Sequence, residues 1–275
     1  MIDATITFIG GGNMARSLIG GLLADGADPA RIRVADPDPA RREGLAALGP
    51  VRVFADNLEA AAGAAVLVFA VKPQVLHGVA QTLAAAVARE HPLVVSIAAG
   101  IRSADLDRWL GGGAAVVRAM PNTPALVRSG ATALYANAAV DAAGRDRAES
   151  ILRAVGITLW LEDEALMDAV TALSGSGPAY FFLVMEALEA AATSLGLAPA
   201  TARMLTLETA IGAARVALES DEDVAGLRRR VTSPGGTTEA AVAVLEQAGL
   251  REQFRRALVA ARDRSRALAE EFGAS

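Results

Sequence analysis

Gly10-Gly11-Gly12-Asn13-Met14-Ala15 fits the pattern G-x-G-x-x-A, set between an apolar run from Thr5 to Ile9 and a helical stretch from Arg16 to Leu23. In that setting Gly10 permits a tight turn, Gly12 lets backbone approach a pyrophosphate, and Ala15 allows a helix to pack closely on a strand. The helix would direct unpaired N–H groups at the anion. An ordinary flexible loop is the bland alternative, but the strand before and the helix after favour dinucleotide binding. Asp36, ending the next β-branched run, stands where a carboxylate bonds adenosine ribose hydroxyls, which points to NAD(H). Arg41 and Arg42 follow and could hold a 2′-phosphate, which points to NADP(H). The cues conflict, so the expected cofactor is NADP(H) or NAD(H). Asp36 as a simple cap for a helix from Pro39 to Leu48 is the other reading.

The run from Ala65 to Ala70 leads into Val71-Lys72-Pro73-Gln74, and Lys72 is the only lysine in the chain. Either the backbone here lines the cofactor or the ammonium donates a proton; the backbone role is preferred, with chance retention as the alternative. Ser96-Ile97-Ala98-Ala99-Gly100 and Met120-Pro121-Asn122-Thr123-Pro124-Ala125 end two further runs on the same rim. Asn122 and Thr123 offer an amide and a hydroxyl to a nicotinamide, or the two prolines simply shape a turn. In Ser233-Pro234-Gly235-Gly236-Thr237-Thr238 the proline and glycines stop one helix, and the N–H groups of Gly236 to Thr238 open the next. Such a mouth can receive a small carboxylate, unless Thr237 or Thr238 merely caps the helix.

Other chemistries lack their residues. There is no cysteine, hence no thiolate and no disulfide framework, and His77 and His91 are the only histidines; both read as surface residues. No catalytic triad, nucleophile elbow, P-loop or metal-ligand spacing occurs, so no metal is expected. A net charge of -5 without a basic stripe argues against nucleic acid, since Arg228 to Arg230 and Arg251 to Arg266 are interleaved with acids. No apolar run approaches the ~20 residues of a membrane span. Met1-Ile2-Asp3-Ala4 enters a strand-like run without a signal-peptide pattern, and a cytoplasmic location is expected.

The elements that must position these residues fall into two halves. Strands are expected at Thr5 to Ile9, Arg31 to Ala35, Val51 to Phe54, Ala65 to Ala70, Leu93 to Ala98, Ala115 to Ala119, Ala131 to Tyr135 and Ile157 to Trp160. Several are apolar throughout, as in a parallel sheet covered on both faces, and Ala-rich helical stretches alternate with them. The fold class is therefore α/β, a doubly wound sheet over residues 1–162. After it only helical spacing remains: Ala165 to Leu195, Pro199 to Leu218, Val224 to Val231, Thr238 to Gln247 and Arg251 to Phe272. This all-helical half, 163–275, is apolar enough to bury surface against another chain.

With Ser174-Gly175-Ser176-Gly177-Pro178-Ala179-Tyr180 and Thr232-Ser233-Pro234-Gly235-Gly236-Thr237-Thr238-Glu239-Ala240 added, the motifs stand in the order found in pyrroline-5-carboxylate reductases. The chain resembles that family along its whole length. The resemblance implies NAD(P)H-dependent reduction of the ring imine of 1-pyrroline-5-carboxylate to L-proline, the last step of proline biosynthesis. It implies a Rossmann-type N-terminal domain and a helical C-terminal dimerisation domain, with the active site between them and completed by the partner subunit. Homodimers of the family often assemble further. Carried over by motif, the cofactor positions are Gly10, Gly11, Gly12, Asn13, Met14, Ala15, Asn57 or its neighbour, Ala70, Val71, Lys72, Pro73, Ala98, Ala99 and Gly100. Substrate contacts fall to Ser233, Gly235, Gly236, Thr237 and Thr238: loop N–H groups to the carboxylate, and the catalytic Thr238 hydroxyl to the ring nitrogen. Tyr180 and Glu239 are further polar candidates. Asp221 to Ala225 and Arg228 to Arg230 depart from the family pattern, where relatives often carry a His-Pro-Gly turn and a Lys-Asp pair. A reductase of another cyclic imine, a two-domain hydroxy-acid dehydrogenase and a non-catalytic dinucleotide sensor are the competing functions. The dehydrogenase would need a Lys or His base in its helical half, and residues 163–275 contain neither.

Overall fold

The structure is a computed structural model that describes residues 4–273, so the expected opening at Met1 to Asp3 lies outside the described residues. Eight strands form where β-branched and apolar runs occur: β1 (Ile6–Ile9), β2 (Ile32–Ala35), β3 (Arg52–Phe54), β4 (Val66–Phe69), β5 (Leu93–Ser96), β6 (Val116–Met120), β7 (Gly130–Ala136) and β8 (Gly156–Trp160). They make one sheet in the order β3-β2-β1-β4-β5-β6-β7-β8. Strands β1 to β6 run parallel, with Ile9 level with both Ala35 and Phe69. The β6–β7 pair is antiparallel, because the connection between them holds a single 3₁₀ segment, Thr123–Val127, and is too short for a crossover.

The crossovers are α1 (Asn13–Ala24), α2 (Pro39–Ala46), α3 (Asn57–Ala61), α4 (Pro73–Glu90), α5 (Ser103–Trp109) and α6 (Ala142–Arg153). Side chains alternate across the strands. Phe8, Val66 and Val68 therefore enter a core with Leu18 and Ile19 of α1 and Ile151 of α6, while Ile9, Leu67 and Phe69 enter a second with Leu76 and Leu83 of α4. Both faces of the sheet are covered, which is why its central strands carry no polar alternation.

The chain then continues as α7 (Met167–Val170), α8 (Gly177–Ser194), α9 (Pro199–Glu219), α10 (Val224–Arg230), α11 (Thr237–Gln247) and α12 (Leu250–Gly273). The long helix expected from Ala165 to Leu195 is broken: a 3₁₀ turn, α7 and a π-helical turn at Thr171–Gly175 precede α8. Pro178 supplies the reason. It has no N–H for the carbonyl four residues back, that of Ser174, and the Asn122 side chain donates to that oxygen instead, at 3.1 Å.

The chain divides into two compact units, one running to Ser176 and taking in residues from Ala260 on, the other Gly177–Val259. The strands end at Trp160, close to the expected boundary at 162/163, yet the units part only at Ser176. Residues between are tied to the first unit: Met167 and Ala172 are buried, and the Glu164 carboxylate accepts from Ser103 N–H and Oγ at 2.7 and 2.6 Å and from buried Arg118 at 3.1 Å. The end of α12 is held there too, by Ser265 Oγ to Asp168 at 2.7 Å and Arg108 to the Gly273 carbonyl at 2.8 Å.

Candidate active site

The strand order reverses between β1 and β4, and a cleft of about 1020 Å³ opens at the carboxyl ends of β1, β2, β4 and β5. Gly10 turns at φ +98°, and a Cβ there would lie 2.8 Å from the Ala70 carbonyl oxygen. A Cβ on Gly11 would meet the Leu45 side chain at 2.5 Å. Gly12 differs: nothing lies within 4 Å of where its Cβ would stand. It is the N-cap of α1 with no side-chain capping bond, so the first N–H groups of the helix face open space. Ala15 is fully buried under the sheet. The turn is thus built for close packing behind and an anion in front, which fits the pyrophosphate of a dinucleotide.

Of the other expected cofactor residues, Asp36, Asn57 and Ala70 to Lys72 line this cleft together with Ile97. Asn57 opens α3, whose N-cap is its neighbour Asp56. Lys72 is the N-cap of α4 and exposed, with Pro73 behind it as the first helical residue. Ala98, Ala99 and Gly100 follow β5 but lie outside the cleft wall; Gly100, at φ +74°, would bring a Cβ 3.4 Å from Leu268. Asn122 is outside it as well. Its amide donates to Ser174, and its oxygen accepts the Ala131 N–H at 2.9 Å, so the side chain pins a loop. Asp36 as helix cap is overturned: Asp38 caps α2, accepting from Ala40 N–H at 2.9 Å. Arg16, Gly44 and Leu45 also reach the wall, brought there by α1 and α2 packing that no local motif announces.

In the second unit, Ser233 to Thr238 forms the expected turn before α11, with Gly235 at φ +71°. The cap is Gly236, without a side-chain bond, and neither Thr237 nor Thr238 caps. The Gly235 N–H donates to Glu239 at 2.7 Å and the Gly236 N–H to the Ser233 carbonyl at 3.0 Å. This narrows the expected cradle. The N–H groups with no acceptor inside the helix are those of Thr237, Thr238 and Glu239, in its first turn, since the Ala240 N–H is the first to reach back, to the Gly236 carbonyl. Glu239, a polar candidate from sequence, turns its carboxylate back to the Gly235 N–H and so holds the turn before the helix. Upstream, where the sequence departs from the family pattern, Asp223 caps α10 through the Gly226 N–H at 2.6 Å, and Glu222 pairs with Arg230 at 3.1 Å.

His91 sits exposed at the left-handed end of α4, while His77 is half-buried with its ring 4.9 Å from that of Trp109. Among the described residues no cluster of His, Asp and Glu is arranged to hold a metal ion. The polar cluster of Ser103, Arg118 and Glu164 escaped the sequence reading; its only sign was an arginine inside an apolar strand.

Residues 5–100 match a family model described as NADP oxidoreductase coenzyme F420-dependent, and residues 164–268 match one described as pyrroline-5-carboxylate reductase dimerisation. The chain is 55% identical to a pyrroline-5-carboxylate reductase of Pseudomonas aeruginosa over 99% of its own length and 100% of that protein's. A solved pyrroline-5-carboxylate reductase of Coxiella burnetii shares 48% identity at a TM-score of 0.92, covering 97% of this chain and 98% of that one. Another, from Plasmodium falciparum and solved with NADP bound, shares 28% identity at a TM-score of 0.88 over 98% and 99% of the two chains. With a glycine turn open at Gly12, an uncapped helix mouth at Thr237 and full-length likeness to such enzymes, the chain belongs to the pyrroline-5-carboxylate reductase family.

Proposed function

We propose that this protein reduces 1-pyrroline-5-carboxylate to L-proline with NAD(P)H. The observation that carries the reading is the 55% identity to a curated reductase over essentially the whole of both chains. Residues 1–162 serve the dinucleotide: Gly10 to Ala15 and the first turn of α1 hold its pyrophosphate, and Asn57, Ala70 to Pro73 and Ala98 to Gly100 shape its surroundings. Residues 163–275 serve the substrate and self-association. The N–H groups of Thr237 and Thr238 hold the substrate carboxylate, and Ser233 and the two glycines keep that turn in shape. The Thr238 hydroxyl accepts a hydrogen bond from the protonated ring nitrogen and returns one to the amine that forms.

A bound NAD(P)H supplies the hydride. The protein's own task is to align the imine carbon, exclude water and stabilise the iminium, which accounts for a helical half that contains neither histidine nor lysine. The protein works in the cytoplasm as a homodimer, and dimers can assemble further. The test is nicotinamide absorbance during incubation with 1-pyrroline-5-carboxylate, run with NADH and with NADPH, with proline measured as product. Oxidation matched by proline is the expected result; folded protein that binds a dinucleotide yet oxidises neither coenzyme would move the reaction to another imine or leave a sensor.

A further inference from the structure

Beyond the end of β2 stand the Asp36 carboxylate and three guanidinium groups, of which those of Arg16 and Arg41 line the cleft, and their hydrogen bonds sort them. Asp36 Oδ2 accepts the Gly11 N–H at 2.8 Å, Oδ1 accepts the Asp38 N–H at 2.9 Å, and only 3% of the side chain is exposed. To read a ribose, a carboxylate must turn an oxygen toward the ligand; this one turns both toward the protein backbone. Arg42 donates to the Asp36 and Pro37 carbonyls at 2.7 and 2.9 Å, and Arg16 to the Gly44 carbonyl at 3.1 Å. These two cations hold the turns of the cleft in place. Arg41 is different. Its side chain is 53% exposed, it lines the cleft, and its contacts are two carboxylates at long range, Asp36 at 3.5 Å and Asp38 at 3.6 Å.

We infer that Arg41 reads the 2′-phosphate of the dinucleotide, so that this chain prefers NADP(H) to NAD(H), and that Asp36 is a positioning residue for Gly11. The inference rests on the dinucleotide reading of the cleft and settles what the sequence left open, where an acidic residue at the strand end pointed the other way. A phosphate dianion offers a guanidinium two short, parallel bonds, whereas the pairs with Asp36 and Asp38 lie beyond the usual hydrogen-bond range. Exchanging the one for the other favours the phosphorylated ligand, and the fixed Gly11 N–H keeps the turn ready for it.

The experiment is isothermal titration calorimetry with NADP⁺ and with NAD⁺ in the absence of substrate, so that affinity is read independently of turnover. The wild-type protein is expected to bind NADP⁺ at least about tenfold more tightly than NAD⁺, the scale of one charge-assisted contact. Arg41→Ala, a surface change that the fold tolerates, should weaken NADP⁺ by about tenfold and NAD⁺ by less than about twofold on the same scale. Asp36→Asn should weaken both ligands together, because Gly11 loses its charged acceptor. Equal or tighter binding of NAD⁺ by the wild type, equal losses in Arg41→Ala, or a loss confined to NAD⁺ in Asp36→Asn would each overturn the assignment. Folded protein that binds neither would remove the dinucleotide reading itself, a failure distinct from binding both without preference.

Discussion

Glycines 10, 11 and 12 look alike in sequence and answer to three different constraints. Gly10 is fixed by its left-handed φ and by the Ala70 carbonyl, Gly11 by Leu45, and Gly12 by nothing the protein itself supplies. Gly12→Val should therefore still fold, with only the small drop in melting temperature of a poorer N-cap, while losing at least about tenfold in dinucleotide affinity, since the added methyls occupy the anion's place. Calorimetry against NADP⁺ beside a thermal melt separates the two effects; a large drop in melting temperature would contradict the open space. For Thr238→Ala the expected pattern is reversed in kind: turnover falls by about two orders of magnitude or more, as for loss of one preorganised hydrogen-bonding group, while coenzyme affinity holds. Equal loss of both would remove the hydroxyl from its assigned role. The glycine turn was legible from sequence because its requirements are local, one strand end and one helix start. The role of Asp36 was not legible, because which way its oxygens point depends on Gly11, twenty-five residues away in sequence.

The eight strands and most helices were readable because each carries its own periodicity and its own breakers. What periodicity could not show is the break inside the stretch Ala165 to Leu195. There the apolar spacing is helical throughout, and the interruption comes from a missing N–H at Pro178 together with an amide from a distant loop. Asn122→Ala should leave the half-buried Ser174 carbonyl and Ala131 N–H without their partner and cost about 1 kcal/mol for each, seen as a lower thermal midpoint. An unchanged midpoint would mean that water replaces the amide. A second element-scale prediction concerns β8 and α6. The Trp160 indole N–H, at 2.9 Å, holds the Glu149 carboxyl below its ordinary pKa; burial opposes this, while the Thr158 hydroxyl and Arg153 add to it. A depressed carboxyl stabilises the fold above the ordinary carboxylate range and loses that contribution as pH falls through its folded value. The gap in melting temperature between wild type and Glu149→Gln should accordingly narrow from about pH 6 to about pH 3; a constant gap would show that the contact is insensitive to ionisation.

At the scale of the whole molecule, the second unit carries more apolar surface than a lone chain would keep in water. Phe181, Phe182 and Leu183 of α8 are 67%, 64% and 66% exposed, and the segment that contains them matches a dimerisation domain. The richness of this half in Ala, Leu and Val was the sequence's sign of it, since helices this apolar need a neighbour that their own chain does not provide. The first unit has a different economy of side chains. Its basic residues other than Lys72 are arginines and two histidines, and Lys72 stands exposed at the mouth of the cleft, as the N-cap of α4. The chain therefore carries a single side-chain amine, placed by the fold beside the proposed coenzyme. An amine-reactive dye at limiting concentration should attach to one peptide, Lys72's, apart from the chain's own amino terminus, and saturating NADP⁺ should slow labelling of Lys72. Mass spectrometry after digestion reads both sites at once, and equal rates with and without NADP⁺ would place the ligand away from this rim. With no cysteine to compete, the protein holds a built-in reporter of its own occupancy, and a dye left there would signal each arrival and departure of coenzyme without any substitution being made.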